Sequence, residues 1–271
     1  ADDPVKLVAT YRYVAYFGIA GWFASLIPAL LLTRTARPRA TSRRSFSLFA
    51  NVKHPDRILK LTLPEVCVAF GAGFVLPLLN VFFKQGLGSP ALEIGTTFAA
   101  GEAFLVVGSF LAPLVAARFG KVNSVVATRM LSIPFILLLA FSSDAGSLLG
   151  SVLSVAGFAY VMRITLMNMG SPVRSAFSME ILAPSERGTQ VGLEHAFSGM
   201  VTGGAAFLGA RLMDAGDFQS PFFFMAGAYL IGTLLFWRFF RGKERQMALV
   251  LKPVAAGGRI SNQTRDVHAG S

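Results

Sequence analysis

The chain is 271 residues long, 54% hydrophobic and only 14% charged, against about 25% charged in an average soluble domain, and its mean hydropathy is +0.58. That composition excludes a soluble globular protein. The formal net charge of +11 does not indicate a nucleic-acid binder, because the basic residues gather in loops and a tail rather than on one face of a folded domain.

A bilayer core about 30 Å thick needs roughly 20 apolar residues of helix to cross it. Seven stretches have that character: Tyr11 to Leu32, Leu61 to Phe83, Leu92 to Ala117, Asn123 to Phe141, Leu148 to Met169, Val191 to Met213 and Gln219 to Phe240. The predicted fold class is an all-α polytopic membrane protein with seven transmembrane helices. Residues 1–10 form an external segment, and Asp2 and Asp3 have the wrong charge for the n-region of a signal peptide. Ala1 in place of Met suggests a piece of a longer chain or a processed product. Cys67, the single cysteine, lies inside an apolar stretch, so no disulfide framework, zinc site or redox pair is expected.

The segment 33–60 carries Arg34, Arg37, Arg39, Arg43, Arg44, Lys53, Arg57 and Lys60 against one acid, Asp56, which makes that side cytoplasmic by the positive-inside rule. Arg118 to Val122, Arg174 to Gly188 and the tail 242–271 fall on the same side. The opposite breaks hold Asp144, Asp214 and Asp217. The chain's N-terminus is thus expected outside and its C-terminus in the cytoplasm, as an odd number of spans requires.

Pro28, Pro64, Pro77, Pro113 and Pro134 fall within spans and are read as bends, since neighbouring helices can satisfy the freed backbone groups. Gly199, Gly203, Gly204 and Gly209 give the sixth span a small-residue character, with Gly199 and Gly203 in GxxxG spacing that permits close helix approach. Ionisable groups inside a span are functional candidates by default. Glu102, ten residues past Leu92, lies about 15 Å into the third span, a depth suited to proton coupling or recognition of a cation, with a structural hydrogen bond as the alternative. Arg163, with Asn168 about a turn further on, suits an anionic substrate or a pairing with a carboxylate such as Glu102. Glu194 and His195 suit a gate, a protonation site or simple snorkelling. Asn80 is a candidate cavity residue, and Glu65, Arg129 and Arg211 are placed at the interface near span ends.

Two loops go beyond composition. Arg118-Phe119-Gly120-Lys121 resembles the Asp-Arg-x-Gly-Arg/Lys-Arg/Lys loop of major facilitator superfamily transporters, although Pro113 and Ala117 stand where that family has Gly and Asp. Met162-Arg163, Leu166 to Met169, Pro172, Phe177, Met179-Glu180, Pro184 and Glu186-Arg187-Gly188 resemble the tenth helix and following loop of bacterial members. The Gly-rich sixth span and Ser220-Pro221-Phe222 continue the likeness. The resemblance implies that 11–32 is similar to helix six, 33–60 to the central cytoplasmic loop, and 61–241 to the six-helix C-terminal bundle. It also implies an inner-membrane location and a missing N-terminal half.

Such transporters hold a small solute between two six-helix halves that rock against each other. The expected function is therefore part of a secondary active transporter, proton-coupled, with lipid bilayer, solute and protons as partners. The rival is a truncated or degenerate relative with a structural or regulatory role. Glu180, Arg187, Arg118 and Lys121 are expected to carry conformational charge pairs between helix ends, with Gly120 in the same gating loop, or merely to signal topology. No cofactor, metal or enzymatic activity is expected. His54-Pro55-Asp56 lacks the helical hairpin of a co-chaperone, and Asn262-Gln263-Thr264 would lie on the cytoplasmic side. Ser198 has no Gly-x-Ser context beside His195.

Overall fold

The structure, a computed structural model, describes residues 4–24, 54–143 and 152–242. The chain divides into two units, Ala1–Ser47 and Leu48–Ser271. The first contains helix α1 (Pro4–Ala24), whose residues from Tyr16 to Ala24 are all exposed. The rest of the expected first span, and most of the basic loop, lie outside the described residues.

The second unit is built of α2 (Pro55–Val75), α3 (Ala91–Phe119), α4 (Lys121–Ala140), α5 (Val152–Ile181), α6 (Arg187–Asp214) and α7 (Ser220–Phe240). Pro55 starts α2 at the first turn, where its missing N–H costs nothing, so the helix begins inside the stretch read as loop to Lys60. Asp56 and Lys60 then pair one turn apart at 3.6 Å. Beyond Val75 the helical path continues irregularly, as a 3-10 turn at Leu76–Leu78, an α turn at Leu79–Val81 and a π turn at Phe82–Gly86. Pro77 supplies the cause, since it has no N–H to continue the α ladder.

Connections are short and rest on glycine. Gly120, with φ +87°, is the single residue between α3 and α4, a conformation that side-chain-bearing residues adopt at a cost. Gly216, with φ +86°, ends α6 in a Schellman arrangement, its N–H donating to Met213 O and that of Asp217 to Leu212 O. The fifth span is longer than expected. Arg174, Phe177 and Glu180, read from sequence as loop, belong to α5, which runs on to Ile181 because Val173, Phe177 and Ile181 bury one face at helical spacing.

Packing follows a repeat. α2 packs on α6 and α7, α5 packs on α3 and α4, and α4 meets α7. Exchanging α2 with α5, α3 with α6 and α4 with α7 leaves this pattern unchanged. Because α2 and α5 run antiparallel, with Glu65 beside Arg174 at one end and Phe83 beside Tyr160 at the other, the second three-helix repeat is inverted relative to the first. Glycines allow the close approaches at these interfaces. A Cβ on Gly73 would stand 2.6 Å from Thr202 O of α6, one on Gly232 2.7 Å from Pro64 O of α2, and one on Gly101 2.5 Å from the Tyr160 ring of α5.

Four helical segments, Pro55–Gly86, Ala91–Phe119, Lys121–Ala140 and Ser220–Phe240, are long and apolar enough to cross a membrane among the described residues. α5 and α6 exceed that length at 30 and 28 residues but are more polar, with Arg163 and Arg174 in one and Glu194, His195 and Arg211 in the other. The outward faces suit lipid: Phe104, Phe110, Leu114, Met200, Phe207 and Ile231 are all exposed.

Candidate functional site

Among the described residues, two polar features of the interior involve α5. The first joins four helices at the end of the bundle where α2, α4 and α6 begin. Arg129 of α4, 2% exposed, places Nη2 2.8 Å from Glu65 Oε1 and 3.0 Å from Oε2 of α2. Arg174 of α5 reaches the same Glu65 Oε1 at 3.4 Å with Nε and forks onto Glu194 of α6 at 2.7 and 3.1 Å with its two Nη atoms. Gln190, one turn before Glu194, donates to Glu194 Oε2. Two cations thus face two anions in a neutral cluster. Glu65 and Arg129, assigned to the interface from sequence, are therefore interior residues, and Glu194 is held by Arg174 rather than reaching outward.

The second feature is a cleft of about 360 Å³ between α2 and α5. It exists because these two central helices pack against flanking helices rather than along each other, with α7 supplying the floor. Val68 and Ala72 of α2, with Leu76 and Leu79 from the irregular turns that continue it, form one wall, while Tyr160, Arg163, Asn168 and Ser171 face it from α5 and Tyr229 from α7. One turn beyond Val68 and Ser171, the Glu65–Arg174 pair closes one end. At the other, Phe83 meets Tyr160 edge-on at 6.2 Å and Phe98 lies 5.1 Å from the same ring.

Arg163 lies near the middle of this cleft and is 4% exposed. Its Nη2 donates to the Tyr229 hydroxyl at 2.8 Å, and its guanidinium lies 5.9 Å from that ring's centre. Nε is buried without a hydrogen-bond partner. Among the described residues no carboxylate pairs with Arg163, so the anticipated bridge to Glu102 does not form. Asn168, which also lines the cleft, donates its amide to Ile164 O at 2.9 Å.

The other sequence candidates stand apart from this cleft. Glu102 is exposed on α3, because that helix seats Gly101 and Gly108 against α5 and turns the next position outward. It lies within electrostatic range of Tyr160. Asn80 and His195 are exposed, and Arg211 stacks on Phe207 at 5.0 Å. In the loop motif Arg118 is exposed over the Phe119 ring, Gly120 makes the turn, and Lys121 forms an ion pair with Glu180 at the end of α5. Arg187 opens α6 with its Nε buried without a hydrogen-bond partner. Gly199, Gly203 and Gly204 face open space, so of the four glycines expected to pack α6 only Gly209 does so, against the Phe74 carbonyl of α2.

Sequence reasoning missed Tyr160, Tyr229, Ser171 and Arg174. A phenol in the middle of an otherwise apolar helix was one available signal. The spacing of Arg163 and Arg174, eleven positions or about three turns, was another, because it puts both on one face. Comparison of the sequence with protein-family models and with curated proteins gives no match in either case.

Proposed function

We propose that this chain is one half of a secondary active transporter of the major facilitator type, lying in a cytoplasmic or inner membrane and moving a small solute by alternating access. The observation that carries this reading is the inverted pair of three-helix repeats whose leading helices, α2 and α5, flank a cleft. Transporters of this class place substrate near the bilayer midplane at a repeat interface, between helices that are often broken. The interrupted path of α2 at Leu76, beside the cleft, is of that kind. In this reading α5 and α6 cross the membrane together with the four more apolar segments, and a further six-helix half covers the cleft. Lys121 with Glu180 ties the α3–α4 turn to the end of α5 on the cytoplasmic side, as a contact that forms and breaks with the cycle.

Vesicles containing this chain together with an N-terminal half are expected to accumulate at least one member of a solute panel when a proton gradient is imposed, and a protonophore is expected to abolish the accumulation. Glu102→Gln tests coupling separately: it should leave downhill exchange intact and remove gradient-driven uptake. If no solute moves under any gradient, the structural or regulatory role replaces transport.

A further inference from the structure

The cleft's charge points to a substrate class. We propose that it binds a monovalent organic anion, a carboxylate with an apolar body, through Arg163 and Tyr229. This inference takes the cleft as the solute site of the proposed transporter, but its test is equilibrium binding and does not depend on transport.

Charge supplies the first argument. A buried guanidinium is costly unless an anion stands against it. Arg174 and Arg129 have Glu65 and Glu194, yet among the described residues Arg163 has only the Tyr229 hydroxyl. Arg163 is not screened by bulk water either, at 4% exposure. Its single positive charge is balanced by one negative charge, which a monoanion supplies.

Donor geometry supplies the second. Tyr229 accepts from Arg163 Nη2 with its oxygen, which leaves the phenolic O–H free to donate. Arg163 Nε–H is buried without a hydrogen-bond partner. The Arg163 guanidinium, which lines the cleft, and the Tyr229 O–H are donors from neighbouring side chains and suit the two oxygens of a carboxylate, for which a guanidinium is the preferred planar partner. The remaining wall is apolar on the α2 side, from Val68 to Leu79, and complements a hydrocarbon or aromatic body rather than a second charge. Glu102 is the nearby acid, and its exposed position on α3 leaves it outside the cleft lining, so it does not compete for Arg163.

The test titrates benzoate and hexanoate against the 271-residue chain in lipid nanodiscs, with benzyl alcohol and benzylammonium as neutral and cationic counterparts. Benzoate is expected to bind at least about tenfold more tightly than either counterpart, the factor for one charge-assisted hydrogen bond. Arg163→Gln should abolish that preference, Arg163→Lys should restore part of it, and Tyr229→Phe should weaken benzoate several-fold and benzyl alcohol less, since the bond lost to the alcohol is not charge-assisted. If Arg163→Gln does not fold, the Tyr229→Phe comparison decides. Failure of both carboxylates to bind, or equal binding of benzoate and benzyl alcohol, overturns the inference, as does benzoate binding unchanged in Tyr229→Phe. Benzoate binding without any gradient-driven uptake would sink the transport reading and keep the anion site. Uptake of a neutral or cationic solute with no benzoate binding would do the reverse.

Discussion

Arg163 and Arg174 lie on the same face of the same helix, and both are largely withdrawn from solvent, yet their surroundings differ in kind. Arg174 sits between two carboxylates from two other helices, within a cluster whose charges cancel. Arg163 sits against a phenol and an apolar wall. Burial alone therefore does not separate an arginine that ties helices together from one that awaits something else. The inventory of partners does. Arg129 supports the distinction: its Nε and Nη1 have no hydrogen-bond partners, but its charge faces Glu65 at 2.8 Å.

The largest effect of a single substitution is expected at the cluster. Glu65→Gln leaves Arg129 buried without its anion and removes one of the two that hold Arg174, so unfolding of the chain in mixed micelles should show a loss of about 3–5 kcal/mol, the cost of stranding a buried charge. A loss below about 1 kcal/mol would mean that the cluster does not hold the four helices. Arg163→Gln sharpens the contrast from the other side. Removing a buried cation that lacks a counter-charge among the described residues should leave stability within about 1 kcal/mol of the parent or raise it. A loss as large as that of Glu65→Gln would move Arg163 into the structural class.

The smallest effect is expected at the aqueous end, where charge is screened. Asp217, in the turn before α7, accepts from the N–H groups of Ser220 at 2.9 Å and Gln219 at 3.2 Å. Hydrogen bonding from Ser220, first through its side chain and then its backbone, holds the Asp217 carboxyl below its usual value near 3.8. Its contribution is therefore complete above about pH 3.8 and fades as pH falls through the lower folded value. Asp217→Ala should cost about 0.5–1 kcal/mol at neutral pH, for the loss of its hydrogen bonds to the backbone of the turn. The gap between variant and parent should close in acid, and a gap that stays constant down to pH 2 would show that the carboxylate's charge has no part in it.

Much of the helical plan was legible because a membrane-length apolar run needs no tertiary information: α3, α4 and α7 lie within a few residues of their expected bounds. The end of α5 was not legible in that way. Arg174, Ser175, Ser178 and Glu180 lower the hydropathy of the segment, while the buried spacing of Val173, Phe177 and Ile181 carries the helix onward. Glycine spacing on α6 identified a surface able to approach another helix but not which glycine finds one, since that depends on where α2 lies. The cleft shows the same limit. Arg163 and Asn168 were legible as polar residues in an apolar span, but Tyr229 joins them only because α7 forms the floor between α2 and α5. The Glu65 cluster needs four helices at once, and nothing in the local sequence of any one of them specifies the other three.

The irregular winding of α2 past Leu76 has a consequence for how the molecule exchanges its amide protons. A continuous α-helix opens cooperatively, whereas the change from 3-10 to π winding uncouples the segment Leu79–Gly86 from the turns before it. That segment carries Leu79 at the cleft and Phe82 and Phe83 at its aromatic end, while the Glu65 cluster and the Gly71 and Gly73 contacts lie on the other side of the break. Deuterium uptake along α2 should therefore divide at Leu76, with Leu79–Gly86 exchanging ahead of Leu61–Val75. One end of the cleft can then open while the charged end stays locked.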